Sequence, residues 1–356
     1  MKQVHKRWVA ALLGTAALLL ILCAGIVRTV DPFFHYHDPD PEGEVWFDQR
    51  AQGAGLLRTQ DYETVLMGSS LAANYRAFWF DVFYDTATVK ITFPNGGFEE
   101  FSQALDYAYT QQNVKRVIFG LDPNLLARSP EEAPNQLPAY LYDDNPLNDG
   151  KYLLNKDVLM RSGYTALKKA AGETQTLQDA FVWDGNVFFS KTLALAGYDR
   201  PEIRGEAAPE DAFLENGRAN LATVTGWLEQ HPDTEFIFYF SPYSILFWDK
   251  MDRQGETEAM LTLLEEATET LLAYDNAQLQ FFMADEEIIT DLDNYADHIH
   301  VAGKVTYRMA ESMPAGSYRM TGENRMEMLD GLRQLVVNYD YDQIWESPPD
   351  SVIQTS

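Results

Sequence analysis

Residues Trp8 to Val27 form a run of twenty positions without a charged side chain, and no other stretch limits the chain's options so tightly. Inside hydrocarbon, every backbone N–H and C=O must find its partner within the segment, which commits such a run to helix. At 1.5 Å per residue it reaches about 30 Å, the thickness of a bilayer's hydrocarbon core. It is longer than the apolar region of a cleaved signal, and no small-x-small site closes it. The bulky Leu22 before Cys23 disfavours lipoprotein processing. The expectation is an uncleaved anchor over residues 1–29, in contact with the lipid bilayer through residues 8–27. Lys2, Lys6 and Arg7 precede the run, which predicts a cytoplasmic N-terminus and an extracytoplasmic remainder, hence a single-pass cell-membrane protein.

Cys23 is the only cysteine and lies inside that run. The outer part therefore holds no intramolecular disulfide and no cysteine-bound zinc. A formal net charge of −27 argues against nucleic acid as a partner and against docking on anionic lipid through a basic patch. It also disfavours an anionic polymer as substrate, unless Lys115, Arg116 or Lys304 offset the field locally.

A proline-punctuated connector, residues 30–60, follows the anchor. His35 and His37 lie in its aromatic start and are expected to pack there, since nothing nearby completes a metal site. From Asp61 onward, short apolar runs alternate with helix-compatible segments, the pattern of an α/β fold with a parallel sheet. The strand candidates are Thr64–Met67, Thr88–Phe93, Val114–Gly120, Thr234–Ser241 and Ala277–Phe282. Helices are expected near Glu99–Gln112, Ala219–Gln230, Glu256–Leu272 and Val301–Met313. A long insertion, about 123–219, separates the third and fourth strands and is expected to cover or shape a cleft. Its Tyr140, Tyr142, Trp183, Phe188 and Phe189 have the chemistry to stack on sugar rings, although most such aromatics fill a local core. The α/β domain spans 61–315, and residues 316–356 form a C-terminal helix, Gly322–Tyr339, and a tail that frays beyond Pro348. Asp143-Asp144-Asn145 and Asp291-x-Asp293-Asn294 lack EF-hand spacing and read as solvated turns. No phosphate-cradling glycine loop occurs, and neither a cofactor nor a metal is expected.

Thr64-Val65-Leu66-Met67-Gly68-Ser69-Ser70 delivers hydroxyls to the end of a strand, just before a helix-compatible segment whose first amides favour negative charge. Ser70 is the candidate nucleophile. Taken alone, Gly-Ser-Ser reads more readily as an ordinary turn with an N-cap serine. Asp297 and His300 lie three apart, which on a helical turn puts both on one face. The carboxylate can then hold one imidazole nitrogen and leave the other to take a proton from a serine.

These residues resemble the SGNH/GDSL hydrolase superfamily. Gly68-Ser69-Ser70-Leu71 looks like its first block, with serine replacing aspartate, and Asp297-His298-Ile299-His300 looks like its Asp-x-x-His block. The layout is similar to membrane-anchored bacterial members of the alginate-acetylation and teichoic acid D-alanylation kind. The segments at 140–146, 151–157 and 242–246 resemble an uncharacterised Gram-positive subgroup. The resemblance implies a three-layer, flavodoxin-like fold, and a catalytic set of Ser70, Asp297 and His300. It further implies an oxyanion hole from the amides of Ser70 and Gly96 and from position 122, where the family has asparagine. Here Asp122 stands instead, and an ionised carboxylate cannot donate to an oxyanion. Either Asp122 is protonated, or Asn124 substitutes for it, or the site is slow or inactive. The implied function is a serine esterase or O-acyltransferase acting on acyl (acetyl) esters of cell-envelope or extracellular polysaccharide, with a membrane-bound O-acyltransferase as a candidate partner. The alternative is a catalytically impaired binding or assembly protein of a cell-surface glycan modification system.

Overall fold

The computed structural model describes residues 2–132 and 135–346; the end beyond Pro348 lies outside them. In chain order the elements are α1 (Lys2–Val30), α2 (Gln49–Thr59), β1 (Thr64–Gly68), α3 (Ala77–Tyr84), β2 (Thr88–Thr92), α4 (Phe98–Gln111), β3 (Arg116–Gly120), α5 (Pro123–Ala127), α6 (Gly150–Leu153), α7 (Lys156–Ala170) and α8 (Lys191–Ala196). They continue as α9 (Leu214–Gln230), β4 (Glu235–Phe240), α10 (Ile245–Gln254), α11 (Thr257–Leu272), β5 (Ala277–Phe281), α12 (Glu286–Ile289), α13 (Gly303–Ala315), β6 (Arg319–Met320), α14 (Arg325–Asn338) and α15 (Gln343–Glu346). The chain divides into two compact units. The first takes in the residues up to Gln60 together with Asp106–Gln111 and Leu137–Ala180. The second holds Asp61–Leu105, Gln112–Gln136 and the chain from Phe181 onward. The insertion is thus divided, its 137–180 portion grouping with the N-terminal segments.

In the first unit, α1 is long and apolar enough to cross a membrane. It runs straight into the connector, where Asp31, at φ +47°, turns the chain. The buried Asp31 carboxylate accepts the amides of His35, Tyr36 and His37 at 3.0, 2.7 and 2.9 Å and the Tyr152 hydroxyl at 2.7 Å. His35 and His37 face carboxylates, those of Asp149 and Asp31 respectively. Gly55 of α2 lies under the connector, where a Cβ would come within 2.0 Å of the Phe33 carbonyl oxygen.

The second unit is built on one sheet in the order β2-β1-β3-β4-β5-β6, parallel throughout except for the β5–β6 pair. Beyond their first residues, the central strands β1, β3 and β4 are apolar nearly without a break because both faces are covered, as parallel sheets require. Phe93, Phe101, Phe119, Phe236 and Phe238 are among its largest fully buried side chains. The chain leaves β1 for β2 on one side and later for β3 on the other. That reversal opens a crevice at the carboxyl ends of the strands, where open α/β sheets place their sites.

Two expectations need correction. Asp297 to His300 is a bend rather than a helical turn, because Ala296 N–H donates to the His300 carbonyl at 3.0 Å and α13 starts only at Gly303. Lys115 and Arg116 do not offset charge at the crevice. They stand at the start of β3, ion-paired with Glu63 and Glu235.

Candidate active site

The crevice is shaped first by the end of β1. Gly68 is needed for close approach, since a Cβ there would lie 2.8 Å from that of Ala72. The chain then makes a single 3₁₀ turn, Ser70–Ala72, with Ser69 at its N-cap accepting the Leu71 amide at 3.3 Å. Ser70 opens that turn, a position whose N–H has no partner within it. A buried lysine braces the turn from β2: Lys90, 7% exposed, donates through Nζ to the carbonyls of Ala73 and Tyr75 at 2.8 and 2.7 Å. These bonds offset the cost of taking an ammonium out of water.

Asn74, 1% exposed, braces the other side. Its Oδ1 accepts the amides of Trp183 and Asp184 at 3.1 Å each, and its Nδ2 donates to the Val301 carbonyl at 3.5 Å. One side chain thereby ties the Ser70 turn to the segment before α8 and to the residue after His300. Asp184 closes the arrangement over α13, because its carboxylate occupies the space a Cβ on Gly303 would need.

The bend at 296–300 is held by the end of β4. Ser244 Oγ donates to the His298 carbonyl at 2.7 Å, and Tyr295 Oη donates to the Pro242 carbonyl at 2.7 Å. Asp297 Oδ1 accepts the amides of Ile299 and His300 at 2.8 Å each, and Oδ2 meets His300 Nδ1 at 2.6 Å. His300 Nε2 lies 2.8 Å from Ser70 Oγ. Ser70, His300 and Asp297, separated by more than two hundred residues of sequence, thus form one hydrogen-bonded line. Burial alone would raise the Asp297 carboxyl, but the bonds from His300 and the two amides outweigh it and hold the group far below the usual carboxylate range. The Trp183 ring stands edge-on to the His300 ring, with centroids 5.5 Å apart. His298 turns elsewhere, toward Tyr198, and burial lowers its pKa.

A cavity of about 380 Å³ opens at Ser70, with Asn95, Gly96, Asp122, Asn124, Arg128 and Tyr243 in its wall. Gly96 is where the glycine block was expected, yet its N–H donates to the Phe93 carbonyl at 2.8 Å. The amide assigned to the oxyanion is committed to the turn instead. Arg128 braces that turn from the end of α5, with Nη1 on Asn95 Oδ1 at 2.8 Å and Nη2 on the Gly96 carbonyl at 2.7 Å.

Asp122 follows β3, is 4% exposed and accepts a hydrogen bond from Ser69 Oγ. Burial raises its pKa, the Ser69 bond and the nearby His300 pull it back, and the result is about 6. Its Oδ1 has no hydrogen-bond partner among the described residues. A carboxyl so placed donates an O–H in its protonated form and presents a negative charge otherwise. Lys90 and Asn74 were not singled out in the sequence, although a lone lysine in the apolar run Val89–Phe93 is a visible signal that the strand's end has backbone carbonyls to satisfy.

No family model matches the chain, and no curated protein does. Among solved structures, one from Streptococcus pneumonia, named for platelet activating factor, is similar over 76% of this chain and 90% of its own, with a TM-score of 0.37 and 11% identity. A likeness so remote carries neither fold nor function.

Proposed function

We propose that the protein is a membrane-anchored serine esterase or O-acyltransferase of SGNH type, with its N-terminus in the cytoplasm, acting outside the cell on acyl esters of an envelope or extracellular polysaccharide. The observation that carries this reading is the hydrogen-bonded line Ser70–His300–Asp297 beside an open cavity. The β2-β1-β3-β4-β5 order supports the three-layer flavodoxin-like part of it.

In this mechanism Ser70 Oγ attacks the acyl carbonyl carbon as its proton passes to His300 Nε2. Asp297 keeps Nδ1–H in place and stabilises the imidazolium. The oxyanion is met by the Ser70 amide and by the Asp122 O–H when that carboxyl is protonated. Collapse breaks the carbonyl carbon's bond to the leaving oxygen, which takes the proton from His300. Water or a sugar hydroxyl then attacks the acyl-serine carbonyl, giving its proton to His300, and the acyl carbon's bond to Ser70 Oγ breaks as His300 returns that proton to Oγ.

A second reading, a binding or assembly protein that keeps the fold, draws on Asp122 standing where an oxyanion donor is needed and on the committed Gly96 amide. A fluorophosphonate probe separates the two. The enzyme reading expects labelling on Ser70 that Ser70→Ala abolishes; a folded wild type that takes no label and hydrolyses no acetyl ester leaves the binding reading.

A further inference from the structure

In the first unit, α7 is amphipathic the wrong way round for a helix facing water. Its buried positions are Val158, Ser162 and Thr165, two of them hydroxyl residues. The Ser162 hydroxyl is spent on the Val158 carbonyl at 2.9 Å, and Thr165 Oγ1 has no partner among the described residues. The opposite stripe, Met160, Tyr164 and Leu167, follows the i, i+4, i+7 spacing of one helix face and is 71%, 43% and 73% exposed. Just upstream, Leu147 and Leu154 are exposed as well. A surface helix ordinarily turns its apolar stripe inward, so an outward one implies a second apolar medium against it.

The depth at which α7 sits identifies that medium. Helix α1 packs against α6 and α7. Among its residues whose burial is described, the covered positions are Cys23, Ala24, Val27 and Val30, one face of its last two turns, so the packing described lies at that end. If residues 8–27 fill about 30 Å of hydrocarbon, these positions straddle its outer edge over about 10 Å. A helix about 10 Å across, lying against them, occupies the headgroup layer. Lys151, Lys156 and Arg161 are exposed along the same segment, Lys156 also meeting Asp157 at 2.8 Å, while Lys169 is held by Glu44; exposed cations beside an apolar stripe are the composition of helices that rest in an interface.

We infer that α7 is an interfacial helix that seats the first unit on the outer leaflet through Met160, Tyr164 and Leu167. This adds a lipid contact to the anchor and does not involve the catalytic residues.

The test uses the full chain in phosphatidylcholine–phosphatidylglycerol vesicles. With Cys23→Ser as background, Met160→Cys and Leu167→Cys each carry a bimane label, and co-flotation with the vesicles reads the α1 anchor separately. The expected result is strong quenching by a lipid bearing a doxyl group near the headgroup, with several-fold weaker quenching by aqueous iodide than a free bimane–cysteine adduct shows. A chain that floats while both labels respond to iodide like the free adduct overturns the inference and leaves the anchor intact. Labels shielded from both quenchers overturn it in favour of a protein partner on this face. A chain that does not float overturns anchor and seat together.

Discussion

Replacing Asp122 with asparagine tests the electrostatics of the cavity directly. The carboxyl is almost fully buried, and its folded pKa is about 6 against an unfolded value of about 3.9. The folded state therefore holds a proton that the unfolded state has already lost between these values. Stability falls as pH rises through that window and is flat above it. Two pKa units at 1.36 kcal/mol each make the penalty about 3 kcal/mol at pH 8 and about 0.5 kcal/mol at pH 4. Asp122→Asn does not titrate. Burying its amide adds an offset that is the same at every pH, so the informative quantity is the difference between the two ends. Unfolding of detergent-solubilised wild type and variant should show the variant gaining about 2.4 kcal/mol relative to wild type between pH 4 and pH 8. A gap independent of pH, or one moving the other way, refutes the assignment of a burdened carboxyl. Ester turnover supplies the matching kinetic sign. Wild-type activity should fall as Asp122 ionises above about pH 6, and Asp122→Asn should flatten that fall, gaining at pH 8 and gaining little at pH 5, where the protonated acid already donates.

The other predictions concern the line of residues, its brace and the anchor. His300→Ala should slow fluorophosphonate labelling of Ser70 by orders of magnitude while the chain remains folded, as removal of a base requires; an unchanged labelling rate would remove His300 from the mechanism. Lys90→Met should cost about 2–3 kcal/mol, because it strands two buried carbonyls that now accept from a charged donor. It should also loosen the Ser70 turn, seen as faster amide exchange over residues 70–75. Protease added to cells without a wall should digest the outer units while α1 stays in the membrane fraction; a soluble mature form starting after residue 27 would contradict the uncleaved span.

Much of the sheet was legible because parallel strands buried on both faces leave apolar runs between turn residues, as in Val117-Ile118-Phe119-Gly120. Strand β6 left no such trace: Arg319–Met320 has only two residues, and its pairing with β5 is set by tertiary placement. The Asp297 and His300 pairing was legible by spacing but for the wrong backbone, since a bend closed by Ala296 and His300 brings residues three apart as close as a helix does. Gly96 shows the harder limit. Its residue type fits an amide donor, but whether an N–H is spent within its own turn depends on backbone geometry that no residue name encodes. Asp122 was visible as a chemical conflict, and only burial in the folded chain decides how strongly its proton is held.

The Asp31 carboxylate gives the end of α1 a mechanical character. With three amides and a tyrosine hydroxyl gathered on one side chain directly after α1, there is no slack leash between the span and the first unit. Torque applied to the rest of that unit passes into the helix, as from a rudder to its post, and tilting of α1 carries the unit with it. Under the proposed anchoring, the unit's motion is the drift and precession of a mast, set by lipid viscosity, and its reach is fixed by its own dimensions.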